Sequence, residues 1–148
     1  MKNKIFLILI IFVAIFALNF IWEATHSFLY TPHYSGFSNF IFVHIKASLG
    51  DVLLIAIMYL SGFFVFKNNR WFLLKRKYPY MFLVSLGFCL AVIVENFALK
   101  SGRWVYNDWM PIIPLFNIGL TPVLQLTILP PVIMWITLKY YEKYFGDR

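Results

Sequence analysis

Four polar residues, Asn19, Asp51, Glu95 and Gln125, each interrupt a long apolar run. An ionisable side chain at membrane depth costs on the order of 2.5–3.5 kcal/mol on insertion scales. Asp51 and Glu95 are therefore expected to face a bundle interior, paired or protonated, and to mark a functional site. Helical spacing adds further groups: Asn19, Glu23 and His26 are four and three residues apart, as are His44, Ser48 and Asp51, so each trio shares one helix face. The connection 100–117 is expected to carry Arg103, Tyr106 and Asp108 close above these groups. Carboxylates, a histidine, an arginine and a tyrosine in aromatic surroundings suit proton transfer on an apolar substrate. The expected catalytic set is Glu23, Asp51, Glu95 and Arg103, with Arg103 holding an anionic head group or developing negative charge. Asn19, His26, His44, Trp104, Tyr106 and Gln125 are expected to bind substrate. One fixed cation, Arg103, facing Asp51 and Glu95 would leave one of the two acids without a counter-ion.

Each of these groups also has a purely structural reading. Asn19 and Gln125 suit interhelical hydrogen bonding, and Asp51 and Glu95 could pair with Lys46, Lys100 or Arg103. Glu23 could be solvated, His26, His33 and His44 could be interfacial, and Trp22, Trp104 and Trp109 suit the aromatic belts of a membrane protein. Cys89, the single cysteine, reads as a small packed hydrophobe. Glu23, His26, His44 and Asp51 offer oxygen and nitrogen ligands, but no HxxxH, HExxH or repeated ExxH pattern joins them, so no metal is expected. No serine nucleophile motif, phosphate-binding loop, CxxC or dinucleotide fingerprint is present, and no cofactor is expected.

The elements that position these residues follow from composition. Of the 148 residues, 61% are hydrophobic and 13% charged, which departs from soluble domains toward membrane proteins. The predicted fold is an all-α membrane protein, a single domain forming a four-transmembrane-helix bundle with both termini cytoplasmic. Spans are expected at about 5–22, 47–66, 80–99 and 118–138, the second starting as early as Ile41, with a kink at Pro130–Pro131 in the fourth. Residues 1–20 resemble a signal peptide, but the bulky Phe20, Ile21 and Trp22 point to an uncleaved anchor. Ten of the thirteen basic residues flank the ends that meet residues 1–4, 67–77 and 139–148, which the positive-inside rule makes cytoplasmic. Lys46, Lys100 and Arg103 lie on the other side. The net charge of +7 is thereby explained by topology, and no nucleic-acid partner is expected. At about 1.5 Å per residue, Asn19, Asp51, Glu95 and Gln125 all fall at one height, roughly 21–23 Å from the cytoplasmic edge.

The stretches NFIWEATHSFLY, HIKASLGD, ENFALKSGRWVYNDWMPIIP and GLTPVLQLTILPP resemble those of small four-span bacterial membrane proteins of unassigned activity. The resemblance covers most of the chain and falls on Glu23, Asp51, Glu95, the 102–106 stretch and Gln125. It implies a shared membrane fold and site in a bacterial cytoplasmic (inner) membrane, and no reaction. The expected partner is a membrane lipid or isoprenoid entering from the outer leaflet. The alternatives are a small proton- or ion-coupled transporter or channel, which would need a homo-oligomer to enclose a path, and an accessory subunit docking a partner helix. The nearly unbroken apolar halves of spans one and three weigh against a transport path.

Overall fold

The computed structural model describes residues 2–32 and 35–145, with side chains from Leu9 onward. The interfacial reading of His33 and the charges of Asp147 and Arg148 lie outside the described residues. Four helices follow one another in antiparallel succession: α1 (Lys2–His26), α2 (Gly36–Phe66), α3 (Lys77–Lys100) and α4 (Leu120–Phe145). All four are long and apolar enough to cross a membrane. Two of them outrun the sequence expectation. α2 begins at Gly36 rather than near residue 47, because Phe37, Phe40, Phe42 and Val43 extend its apolar surface. α4 continues through Pro130 and Pro131 to Phe145 without a break in the helix.

The packing is uneven. α3 lies chiefly along α4, and α1 along α2 and α4, whereas α2 meets α3 over a much shorter stretch. The α3–α4 seam depends on a backbone contact. Pro130 has no N–H, so the Leu126 carbonyl loses its helical donor. Gly87 of α3 packs on that same carbonyl, so closely that a Cβ on Gly87 would overlap the oxygen. A glycine there lets the helices approach and lets its Cα–H face the freed oxygen.

The end of the bundle nearest the chain termini is closed by an aromatic plug. The connection after α2 forms a short 3₁₀ turn, Trp71–Leu73, which tucks the Trp71 indole inward. Trp71 is fully buried against Met58, Leu83 and Met134, stacks on Phe66 at 5.3 Å, and occupies space that Gly62 leaves open. Its N–H donates to the Tyr59 carbonyl at 3.1 Å, and the Tyr59 hydroxyl donates to the Pro130 carbonyl at 3.2 Å. Lys75 pairs with Glu142 at 2.6 Å, tying the same connection to α4 at the surface.

The opposite end is built from turns. Gly102, at φ +65°, ends α3 in a Schellman arrangement: the Arg103 N–H reaches the Ala98 carbonyl and the Gly102 N–H reaches the Leu99 carbonyl. The chain thus reverses over the bundle and pairs residues 105–107 with 29–31, through a Tyr30–Tyr106 bridge and the Thr31 N–H to Val105 carbonyl bond. A short hairpin follows, β1 (Ile112–Ile113) against β2 (Ile118–Gly119), with Ile112 opposite Gly119. The connection 100–117 is therefore a folded-back cap; within it Trp109 and Leu115 are about 80% exposed.

The α3–α4 contact yields a direct test. Gly87→Ala is expected to lower unfolding stability by about 1–3 kcal/mol, because the backbone of α4 must yield to the added methyl. Gly50→Ala, inside α2 where a Cβ meets nothing within 4 Å, is expected to keep or raise stability, by up to about 1 kcal/mol. Chemical unfolding of both variants in one detergent compares them.

Candidate functional site

The expected polar layer exists as a hydrogen-bonded chain across three helices. Gln125 of α4 is buried, and its side-chain amide donates both to Asn19 Oδ1 of α1, at 3.1 Å, and to Asp51 Oδ2 of α2, at 2.8 Å. Asn19 in turn donates to the Ile15 carbonyl at 2.8 Å, so its amide is anchored on its own helix. The Glu23 carboxyl, one turn beyond Asn19, comes within hydrogen-bonding reach of Asp51. Two carboxyl groups can hydrogen-bond each other only when a proton lies between them, since ionised carboxylates only accept. The two carboxyls are thus placed to share one proton. His26 continues the line on α1, with Nε2 at 3.5 Å from Glu23 Oε1.

Glu95 approaches the same space from α3 and is held by different partners. The Trp104 indole donates to its Oε2 at 3.3 Å, and the Tyr106 hydroxyl donates to the same oxygen. Tyr106 also accepts the Gly119 N–H at 2.9 Å, so the cap, the hairpin and α3 converge on one carboxyl. Burial, and next the bond to Glu95, keep the Tyr106 hydroxyl protonated well beyond the usual phenol range. The Tyr30 hydroxyl is shifted the same way, first by burial and then by Glu95 and Glu23. Both tyrosines are therefore neutral donors. Tyr30 also organises the aromatic roof, with ring centres 5.4 Å from His26, 5.5 Å from Tyr106 and 6.4 Å from Trp104.

These groups surround a cavity of about 790 Å³ lined by Glu23, His26, Tyr30, His44, Asp51, Glu95, Trp104 and Gln125. Its apolar wall comes from Leu54, Ala91, Val94, Ala98 and Leu126. Lys46 and Gly50 of α2, Ile93 and Phe97 of α3, and Arg103 also line it, and all five are exposed. The cavity thus opens sideways between α2 and α3, which pack on each other over only a short stretch, and ends below in the core that leads to the Trp71 plug.

Of the ten residues expected at the site, Tyr106 and Asn19 stand behind the cavity wall, bonded to wall residues, and the other eight line it. Arg103 is at the rim, with its guanidinium 5.2 Å from the centre of the Phe97 ring. The expectation that Arg103, Lys46 or Lys100 pairs with Asp51 or Glu95 is not met: among the described residues no lysine or arginine forms an ion pair with Glu23, Asp51 or Glu95. Arg103 follows a turn that directs it outward over Phe97, and long basic side chains favour such positions. Nor is His26 or His44 an interfacial surface residue, since they are only 7% and 4% exposed. His44 sits against Phe40, with Nδ1 at 2.6 Å from the Phe40 carbonyl. Trp104 is spent on Glu95 rather than on a belt, whereas Trp109 stays exposed. Cys89 is exposed on α3 and takes no part. Among the described residues no three His, Cys, Asp or Glu side chains converge as metal ligands. Sequence reasoning passed over Tyr30, whose place in a short turn after α1 carries no motif.

The Gln125 bridge makes a measurable claim. In a double-mutant cycle, Gln125→Ala and Asn19→Ala are expected to show a coupling energy of about 0.6–1.7 kcal/mol, as for interhelical hydrogen bonds inside membranes. Strictly additive losses of stability would remove the bridge from the account.

No protein-family model matches the chain, and neither a curated protein nor a solved structure matches it, so its function must be argued from this site.

Proposed function

We propose that the protein is a multi-pass membrane protein whose cavity takes the polar end of a lipid-like or isoprenoid molecule from the outer leaflet. The bound molecule is held, or transformed by acid–base chemistry, at the Glu23–Asp51 pair. The observation that carries this reading is the sideways opening between α2 and α3 at the level of the buried carboxyls. An amphiphile can enter there with its chain still in lipid while its polar end reaches Asp51. The charge asymmetry supports the orientation: among the described residues, nine of twelve basic positions lie toward the plugged end, which the positive-inside rule makes cytoplasmic. A carboxyl pair with one shared proton can both give and take a proton. Gln125 fixes the orientation of Asp51 for that role, and His26 beside Glu23 offers a route for exchanging the proton toward the capped end.

A transporter would need a polar path to both ends. The Trp71 plug, with Met58, Leu83 and Met134, fills the terminal end with apolar side chains, so the blind cavity favours binding over conduction.

The purified protein, examined by native mass spectrometry from a mild detergent, is expected to carry a bound amphiphile. Gly50→Trp, which places a large ring at the mouth where a side chain meets open space, is expected to cut that occupancy about tenfold, or 1.4 kcal/mol, while leaving the fold intact. An amphiphile retained equally by the variant would place its site elsewhere. Uptake of a small polar solute by vesicles containing the wild type would favour transport.

A further inference from the structure

Granting the proposed binding cavity, its inner wall specifies which kind of polar end it receives. The wall presents acceptors. Glu23, Asp51 and Glu95 bring three carboxyl groups to one cavity, and among the described residues none has a lysine or arginine partner. His26 lines the same wall and is 93% buried. If its Nε2–H faces Glu23, its Nδ1 is a bare lone pair, and this atom is buried without a hydrogen-bond partner. Several of the neighbouring donors are already committed. The Gln125 amide is spent on Asn19 and Asp51, and the Trp104 indole and Tyr106 hydroxyl on Glu95. Among the described residues no lysine or arginine pairs with these carboxyls to balance the negative charge they can carry.

The aromatic roof has the same preference. Tyr106 and Trp104 stand 5.5 and 6.4 Å from Tyr30 by ring centre, beside the carboxyls, and ring faces attract cations. The two basic residues at the cavity lie at its exposed rim: Lys46 is stacked on Phe42 at 5.0 Å and Arg103 on Phe97 at 5.2 Å. From there they do not neutralise the inner wall, and they suit the lipid phosphates that surround the mouth.

We infer that the cavity selects an amphiphile whose polar end is a protonated amine, with the ammonium seated between the Glu23–Asp51 pair and His26 under the Tyr30–Trp104 roof. An ammonium supplies three donors, no acceptor and one positive charge, which is what this wall lacks. A neutral alcohol supplies one donor and no charge. A carboxylate or phosphate end adds acceptors and negative charge to a site already rich in both.

The experiment compares three probes of equal chain length, oleylamine, oleyl alcohol and oleate, titrated into the full chain in nanodiscs of neutral lipid at pH 7 and read by native mass spectrometry. Oleylamine is expected to bind at least about tenfold more tightly than oleyl alcohol, and oleate more weakly than either. Asp51→Asn and Glu23→Gln are each expected to abolish the preference for amine over alcohol while the alcohol still binds. Retained binding of the alcohol shows that these variants fold. Equal binding of amine and alcohol by the wild type would overturn the ammonium assignment and leave the amphiphile cavity standing. Preference for oleate would overturn it in favour of the Lys46–Arg103 rim. Failure of all three probes, in a protein whose thermal unfolding is normal, would overturn the assignment and the cavity reading together.

Discussion

Glu23, Asp51 and Glu95 hold their carboxyl groups inside an apolar helical bundle, and among the described residues no lysine or arginine pairs with them. Removing such groups from water is costly unless hydrogen bonds or shared protons compensate. Much of the far end of the molecule can be read as that compensation. Gln125 spends both its amide hydrogens on the layer, one of them on Asp51. The cap folds back after the Gly102 turn so that Trp104 and Tyr106 reach Glu95. Glu23 and Asp51 approach each other across α1 and α2, placed to share a proton. An acid held only for structure would be cheaper as glutamine, so the retained acidity argues for a use.

The asymmetry of the bundle follows from how the remaining surfaces are packed. Gly87 against the Leu126 carbonyl draws α3 onto α4, and the Trp71 plug gathers α2, α3 and α4 at the terminal end. α2 and α3 are left apart toward the other end, where Gly50, Ile93 and Phe97 remain exposed on the two sides of the gap. The gap is therefore the complement of two tight seams rather than a feature with a motif of its own. The same arrangement lets a chain-like molecule approach from the side while the polar groups stay sealed from the terminal end.

The helices and the polar layer were legible in the sequence because both are periodic. Apolar runs of membrane-spanning length announce the four helices, and rise per residue placed Asn19, Asp51 and Gln125 at one height, where they bond. What remained hidden depends on backbone reversal and on local proximity. Nothing in the spacing of Arg103, Trp104 and Tyr106 says that the turn at Gly102 sends the arginine outward and the two aromatic residues inward. The basic run around Trp71 reads as a topology signal, and only the space left by Gly62 turns its tryptophan into a core residue. Residue types found the candidate carboxyls; the absence of a cation beside them required coordinates.

The proton shared by Glu23 and Asp51 is the claim on which this account turns, and infrared difference spectroscopy at neutral pH reads it most directly. The wild type is predicted to show a protonated-carboxyl band that disappears in both Asp51→Asn and Glu23→Gln and persists in Glu95→Gln. A wild type with no protonated carboxyl at pH 7, or a band lost only on changing Glu95, would contradict it.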